Sequence, residues 1–513
     1  MTDAAVRARG FGWRHAGRAK PVLDGIDLEI PHGQKVLLLG ASGAGKSTLL
    51  AAIAGVLGHG DDGDAEGELH VFGGPADAAR GEVGLVLQDP DSQVISARVG
   101  DDVAFGAENL GVARDEIWRR VRRCLDLVGL DADLDRSTER LSGGQKQRLA
   151  LAGVLAMGAR IIALDEPTAN IDPAGVGDLR DAAVRAADAT GATLLVVEHR
   201  VDAWVDHVDR IIVVGSGGVI ADGRPREVLD RHGADLASAG VWVPGHAPQL
   251  PPARPVDPSA PGADVALRGR GLSIGHEADA PVQTGLGVEL PAGASTCIVG
   301  PNGAGKSTLA LTLGGLLAPI AGVVEASESV LAAGPAHGAR GSRVRRRLRR
   351  GPLVPPTAPH GWSSRQLAAR VGSVFQVPEH QFVCSTVKEE LELGPRLLGL
   401  GDDAAAARAA ELMERLRLDH LAPANPFTLS GGEKRRLSVA TVLSTRPRVV
   451  LLDEPTFGQD RRTFTELAHL LRELADDGAA VASVTHDRLL RASLGDHVVE
   501  LAAPPHAAEE TRP

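Results

Sequence analysis

The chain has 513 residues, about three times a usual domain size, so two or more separate cores are expected. An apolar fraction of 43% and a mean hydropathy of −0.02 are those of a globular protein, and no run of about 18 uncharged apolar residues is present to span a bilayer. The net charge of −11 argues against a general nucleic-acid binder, because a phosphate backbone would repel it unless a local basic patch intervened.

In chain order, Met1-Thr2-Asp3 carries no apolar signal core, so a cytosolic location is expected unless a partner ties the chain to a membrane. The apolar run Val36 to Leu39 enters Gly40-Ala41-Ser42-Gly43-Ala44-Gly45-Lys46-Ser47, followed by Thr48. This fits G-x-x-x-x-G-K-[ST], a strand opening into a Gly-rich turn and a helix. Backbone N–H groups and the helix N-terminus there can cradle phosphate oxygens, with Lys46 reaching the β- and γ-phosphates and Ser47 the magnesium. Gln88 follows, then a helical stretch from Asp115 to Leu130, then Leu141-Ser142-Gly143-Gly144-Gln145. Next come Ile161 to Leu164 with Asp165-Glu166, and Leu194 to Val197 before His199. Short unalternated apolar runs of this kind read as buried parallel strands.

The order then repeats. Gly300-Pro301-Asn302-Gly303-Ala304-Gly305-Lys306-Ser307-Thr308 is followed by Gln376, Leu429-Ser430-Gly431-Gly432-Glu433, Val449 to Leu452 with Asp453-Glu454, and Val481 to Val484 before His486. The step from Gln to signature Ser is 54 residues in both copies, and from that Ser to Asp it is 23. One domain has been duplicated. Its expected bounds are 1–243 and 264–505, with a tail at 506–513. Pro-rich 244–263 reads as an exposed, stiffened linker, able to span about 60 Å and let the halves dock face to face. The second copy carries 28 extra residues before its Gln, within an insert at about 333–362 that contains Arg340, Arg343, Arg345, Arg346, Arg347, Arg349 and Arg350. A solvated surface loop is favoured there over a contact with anionic lipid. Cys124, Cys297 and Cys384 are widely spaced, as expected for reduced small hydrophobes rather than disulfides or metal ligands.

The fold class expected is α/β: two tandem domains, each with a mainly parallel sheet, a small antiparallel part and an inserted helical segment. The motif order over 1–243 and 264–500 resembles the ATP-binding cassette (ABC) ATPases. Physical chemistry gives most of the roles. Asp165 and Asp453 would hold Mg2+ with Ser47, Ser307, Gln88 and Gln376. Glu166 and Glu454 would activate the attacking water. His199 and His486 would contact the γ-phosphate. The resemblance implies that Ser430, Gly431, Gly432 and Glu433 serve ATP on Lys46, while Ser142, Gly143, Gly144 and Gln145 serve ATP on Lys306. The loops Ala169-Asn170-Ile171-Asp172 and Phe457-Gly458-Gln459-Asp460 would brace that interface. Both copies keep the reactive set, so two hydrolytic sites are expected. Trp13 is the expected adenine-stacking ring, and the second copy has no clear counterpart beyond His276.

Leu87-Gln88-Asp89-Pro90-Asp91-Ser92-Gln93-Val94, Asp101 to Leu110, and their second-copy versions Phe375 to Phe382 and Glu389 to Gly394 resemble the ATPases of energy-coupling-factor (ECF) importers for vitamins and transition-metal ions. That resemblance implies a polytopic membrane coupling subunit and a substrate-binding membrane subunit as partners, at the cytoplasmic face of the cell membrane. A fused sugar-importer ATPase and a soluble ribosome-associated cassette protein are the alternatives; the first usually has a degraded second phosphate loop, and the second a charged helical linker and no switch histidine.

Overall fold

The computed structural model describes residues 4–16, 20–41, 43–58, 63–168, 171, 173–215, 217–277, 279–333 and 354–503. The chain divides into two compact units, Met1–Pro248 with Asp460–Arg462, and Gln249–Gln459 with Thr463–Pro513.

In the first unit, β1 (Ala4–His15), β2 (Leu23–Pro31), β4 (Gly63–Val71) and β5 (Gly74–Pro75) form an antiparallel sheet in the order β2-β1-β4-β5. A second sheet runs β10-β9-β3-β8-β7-β6, from β3 (Lys35–Leu39), β6 (Val83–Val86), β7 (Ile161–Asp165), β8 (Thr193–Val197), β9 (Arg210–Gly215) and β10 (Gly218–Gly223). It is parallel apart from β10. The apolar runs lack alternation because both faces of the sheet are covered. Leu37 and Leu39 of β3 enter one core with Leu194 and Val196, while Val36 and Leu38 enter the other with Leu195 and Val197. The first core continues into helices Val99–Asn109, Arg114–Val128 and Gly143–Met157, the helical segment expected between Gln88 and Asp165. The Asp115 to Leu130 reading lies within about a residue or two of that second helix.

The second unit repeats the plan. β11 (Val265–Ile274), β12 (Gln283–Pro291) and β14 (Ala321–Ala326) form the antiparallel sheet. β13 (Ser295–Val299), β15 (Val371–Val374), β16 (Val449–Asp453), β17 (Ala480–Val484) and β18 (His497–Glu500) form a parallel sheet in the order β15-β16-β17-β13-β18. Its helical segment is Val387–Leu398, Asp402–Arg415 and Gly431–Ser444. Cys124 and Cys297 are buried free thiols, pushed up by burial to about 11 and about 12, and Cys384 is half-buried.

Two sequence expectations change here. The linker is exposed, but half of it is pinned to the second unit. Arg254 N and Val256 N donate to Asp496 Oδ1 and O at 2.5 and 2.8 Å, and Ser493 Oγ donates to Pro251 O at 2.7 Å. The 60 Å reach therefore overstates its freedom, since proline stiffness says nothing of hydrogen bonds to residues far along the chain. The arginines of the insert lie outside the described residues, as does the tail. Its last stretch is not a loose loop: Thr357 O accepts from Ala326 N at 3.0 Å, Ala358 is fully buried, and Trp362 stacks against Arg370 at 4.8 Å.

Candidate active site

Each phosphate loop joins the C-terminal end of a central parallel strand to a helix, Lys46–Ile53 or Lys306–Leu313. That edge of an open α/β sheet is where ligands bind. Gly40 has φ +154°, and a Cβ there would lie 2.3 Å from Val214 O; Gly300 repeats this against Leu501 O at 2.5 Å. Both positions admit only glycine because backbone passes so close. Lys46 Nζ donates to Gly40 O and Ala41 O at 3.0 Å, and Lys306 Nζ to Gly300 O and Pro301 O at 3.0 and 2.9 Å. Each ammonium thus folds back over its own loop, and burial lowers its pKa. Gly43, Gly45, Gly303 and Gly305 all have positive φ, and Asn302 is exposed at the turn. Ser42 lies outside the described residues.

Ser47 Oγ donates to Asp165 Oδ1 at 2.9 Å. Burial, then the neighbouring Glu166 carboxylate, pushes Asp165 up to about 6. Asp453 is likewise raised by burial and hydrogen-bonded by Ser307. Glu166 and Glu454 have φ +46° and +49°, a left-handed backbone that costs a non-glycine residue about 1–3 kcal/mol and collects at functional sites. Their amides donate to Val197 O and Val484 O at 2.9 and 3.0 Å, tying each turn to the next strand. His199 Nε2 lies 2.8 Å from Glu166 Oε1, whereas His486 Nε2 lies 3.7 Å from Glu454 Oε1. Burial would raise Glu166, yet the His199 contact outweighs it and holds the carboxyl below its usual value. Glu454, buried beside Asp453, is pushed up to about 7. His199 Nδ1 is buried without a partner among the described residues, leaving a polar atom for a ligand to satisfy.

Ser142 and Ser430 stand exposed at the N-termini of their helices in reciprocal capping boxes. Gln145 N donates to Ser142 Oγ at 3.3 Å and Ser142 N to Gln145 Oε1 at 2.9 Å; Glu433 and Ser430 do the same at 3.4 and 2.9 Å. Gln145 and Glu433 therefore have a structural role, and Gly143, Gly144, Gly431 and Gly432 present the first helical N–H groups. These helices also hold the Gln segments. Gln147 donates to Leu87 O and Gln88 O at 3.2 Å, and Arg435 to Phe375 O and Gln376 O at 3.0 and 2.7 Å. Lys146 pairs with Asp91, and Lys434 with Glu379 at 2.8 Å. Gln93 and Gln381 accept from Leu87 N and Phe375 N at 2.8 and 3.0 Å.

Trp13 is not placed to stack on adenine. It is 2% exposed and belongs to the core around β1. Its register partner is Leu23, and the equivalent pair in the second unit is Ile274 with Gln283. The second-half match of Trp13 is thus the buried Ile274, and that of His15 is the exposed His276. His15 Nδ1 lies 3.3 Å from Trp13 Nε1 and its Nε2 3.5 Å from Thr48 Oγ1. The ring beside the first phosphate-loop helix is that of His15. Aligning the two copies strand by strand would have found it. Stacking is worth about 1–3 kcal/mol, so His15→Ala is expected to weaken ATP binding by about fivefold or more in equilibrium titrations. Trp13→Phe should leave affinity unchanged.

The ABC transporter family description matches residues 23–169 and 284–457. The chain belongs to the ABC transporter family. It carries two such ATPase domains. It is 34% identical over 525 residues to "Putative HMP/thiamine import ATP-binding protein YkoD" of Bacillus subtilis, covering 97% of this chain and 90% of that protein. It is 31% identical over 529 residues to "Putative ABC transporter ATP-binding protein TTE1589" of Caldanaerobacter subterraneus, covering 95% and 88%. Among solved structures, "RNase-L Inhibitor" matches at TM-score 0.55 and 21% identity over 95% of this chain and 87% of that one, a likeness of fold. Of the loop Ala169-Asn170-Ile171-Asp172, only Ile171 is described, and it is buried.

Proposed function

We propose that this chain is the ATP-hydrolysing energy-coupling subunit of a membrane importer of the ECF type, taking up a vitamin or transition-metal ion at the cytoplasmic face of the cell membrane. The observation that carries the reading is the 34% identity along 97% of the chain with a protein named for HMP/thiamine import. No described helix is long and apolar enough to cross a membrane. The importer reading brings with it a polytopic coupling subunit and a substrate-binding subunit as membrane partners.

The residues present fit ATP and Mg2+. Ser47 with Asp165, and Ser307 with Asp453, are hard oxygen donors, and an upward-shifted aspartate gains from a cation beside it. Gln88 and Gln376 belong to the same proposed metal set. The ion would neutralise phosphate charge. Lys46 and Lys306 turn from their loop carbonyls to the phosphates. Glu166 and Glu454 take up a proton from the attacking water, and His199 and His486 bond the γ-phosphate. Completion comes from the opposite half: Ser430, Gly431 and Gly432 on ATP at Lys46, and Ser142, Gly143 and Gly144 on ATP at Lys306. Two nucleotides would then close the halves together, and hydrolysis would release them.

Exposed apolar side chains support a docking role for the segments after Gln88 and Gln376. In the first unit they are Ile95, Phe105 and Leu110; in the second, Val377, Val383 and Leu397. The test is co-expression with membrane proteins encoded beside this gene, followed by purification and uptake of a panel of labelled vitamins and metal ions. Uptake that fails with Lys46→Ala or Lys306→Ala supports the reading. Recovery with ribosomes and never with membrane subunits contradicts it.

A further inference from the structure

The two strands that deliver the switch histidines end differently. β8 runs into Glu198-His199, and β17 into Thr485-His486. Glu198 is 3% exposed. Its Oε1 accepts from Thr168 N at 3.1 Å and from Thr168 Oγ1 at 2.5 Å, and its Oε2 accepts from His199 N at 3.1 Å. Thr485 is 1% exposed, and its hydroxyl accepts from Asp487 N at 3.0 Å. Asp487 in turn caps the helix Arg488–Leu494 through Leu489 N and Leu490 N at 2.7 and 3.1 Å. The polar side chain of the second half faces forward into the next helix. That of the first half faces back, onto the segment just after Glu166.

A buried carboxylate is tolerated only when its lone pairs are met by donors. Glu198 meets that condition with three, two of them from the residue that sits two places after Glu166. The contacts close a ring: Glu166, Pro167, Thr168, Glu198, His199, and back to Glu166 through the 2.8 Å approach of His199. The second half lacks a carboxylate at that place, and its His486 stands 3.7 Å from Glu454. We propose that Glu198 is a positioning residue for hydrolysis at the first site, locking the turn after Glu166 to the switch histidine, and that the two sites consequently hydrolyse ATP at unequal rates. The inference rests on the reading of Glu166 and Glu454 as the groups that activate water.

The test is ATP hydrolysis by the full chain in two backgrounds, Glu454→Gln, which leaves the first site, and Glu166→Gln, which leaves the second. In the first background Glu198→Thr, which copies the second half, is expected to lower kcat about tenfold, with KM for MgATP moved less than about twofold. Glu198→Gln keeps an acceptor for Thr168 and loses only the bond to His199 N, so it should recover at least about a third of the rate. In the second background neither change should alter turnover. Should Glu198→Thr fold poorly, Thr168→Val removes the hydroxyl donor alone and is expected to lower the first-site kcat in the same way. Equal losses in both backgrounds, a loss confined to KM, or a Gln variant as slow as the Thr variant would overturn the proposal. If Glu166→Gln and Glu454→Gln themselves leave turnover intact, the reading of the bases fails instead.

Discussion

Glu166→Gln and Glu454→Gln are each expected to reduce ATP turnover of the chain by about 100-fold or more at the altered site. A positioned base contributes about 10²–10⁴ to such a step. Gln preserves shape and can still bond a water, but it cannot accept the proton. Both glutamates sit at the end of a buried strand in a strained left-handed conformation, held by a main-chain bond to the neighbouring strand. The substitution removes chemistry without removing that support. ATP binding should persist in both variants, which equilibrium binding of a fluorescent ATP analogue would show. If each single variant kept full steady-state turnover, neither glutamate would be the base.

The second large effect concerns stability. Arg472 and Asp496 form an ion pair at 2.8 Å, with side chains 5% and 1% exposed. Asp496 also accepts from Ser295 N at the start of β13 and from Arg254 N in the linker. Asp496→Ala strands a buried guanidinium and frees two amides. Breaking one partner of such a pair costs about 3–5 kcal/mol, which should appear as a lowered denaturant midpoint for the second unit. Replacing both residues by apolar ones of similar volume should cost much less. The pH dependence follows from sign. Burial would raise Asp496, but the Arg472 bond and the two amides outweigh it and hold its carboxyl below the usual value of 3.8. A depressed folded pKa stabilises fully above the unfolded value and is lost as pH falls through the folded one. The stability that Asp496 contributes should therefore be fully present above about pH 4 and be lost as pH falls further, and Asp496→Ala should remove that part of the acid dependence.

Much of this architecture was legible because its signals are local. Val36 to Leu39, Ile161 to Leu164 and Val449 to Leu452 are strands because four apolar residues in a row must be covered on both faces. The phosphate loops read directly, since only glycine tolerates the approach of Val214 O and Leu501 O. What could not be read depends on register or on distant pairs. Trp13 has the right chemistry for adenine, but the irregular pairing around Phe11 and Trp13 turns its ring into the core and leaves His15 at the loop. Asp496 is more than 200 residues from the linker amide it binds, and no spacing rule connects them. Glu198 escaped notice because its meaning lies in Thr168, which sequence adjacency does not bring near it.

On the proposed function, each phosphate loop would be completed by the signature helix of the opposite half. Asn302, Ser142 and Ser430 are all exposed, and Cys384→Ser removes the one native thiol that is not buried. In that background, Asn302→Cys can be paired with Ser142→Cys or with Ser430→Cys, and each double variant treated with a short thiol-to-thiol cross-linker in the presence of MgATP. An internal cross-link that depends on nucleotide is expected for Asn302 with Ser142, and none for Asn302 with Ser430. Cross-linking of Asn302 to Ser430, or no nucleotide-dependent link to Ser142, would contradict it.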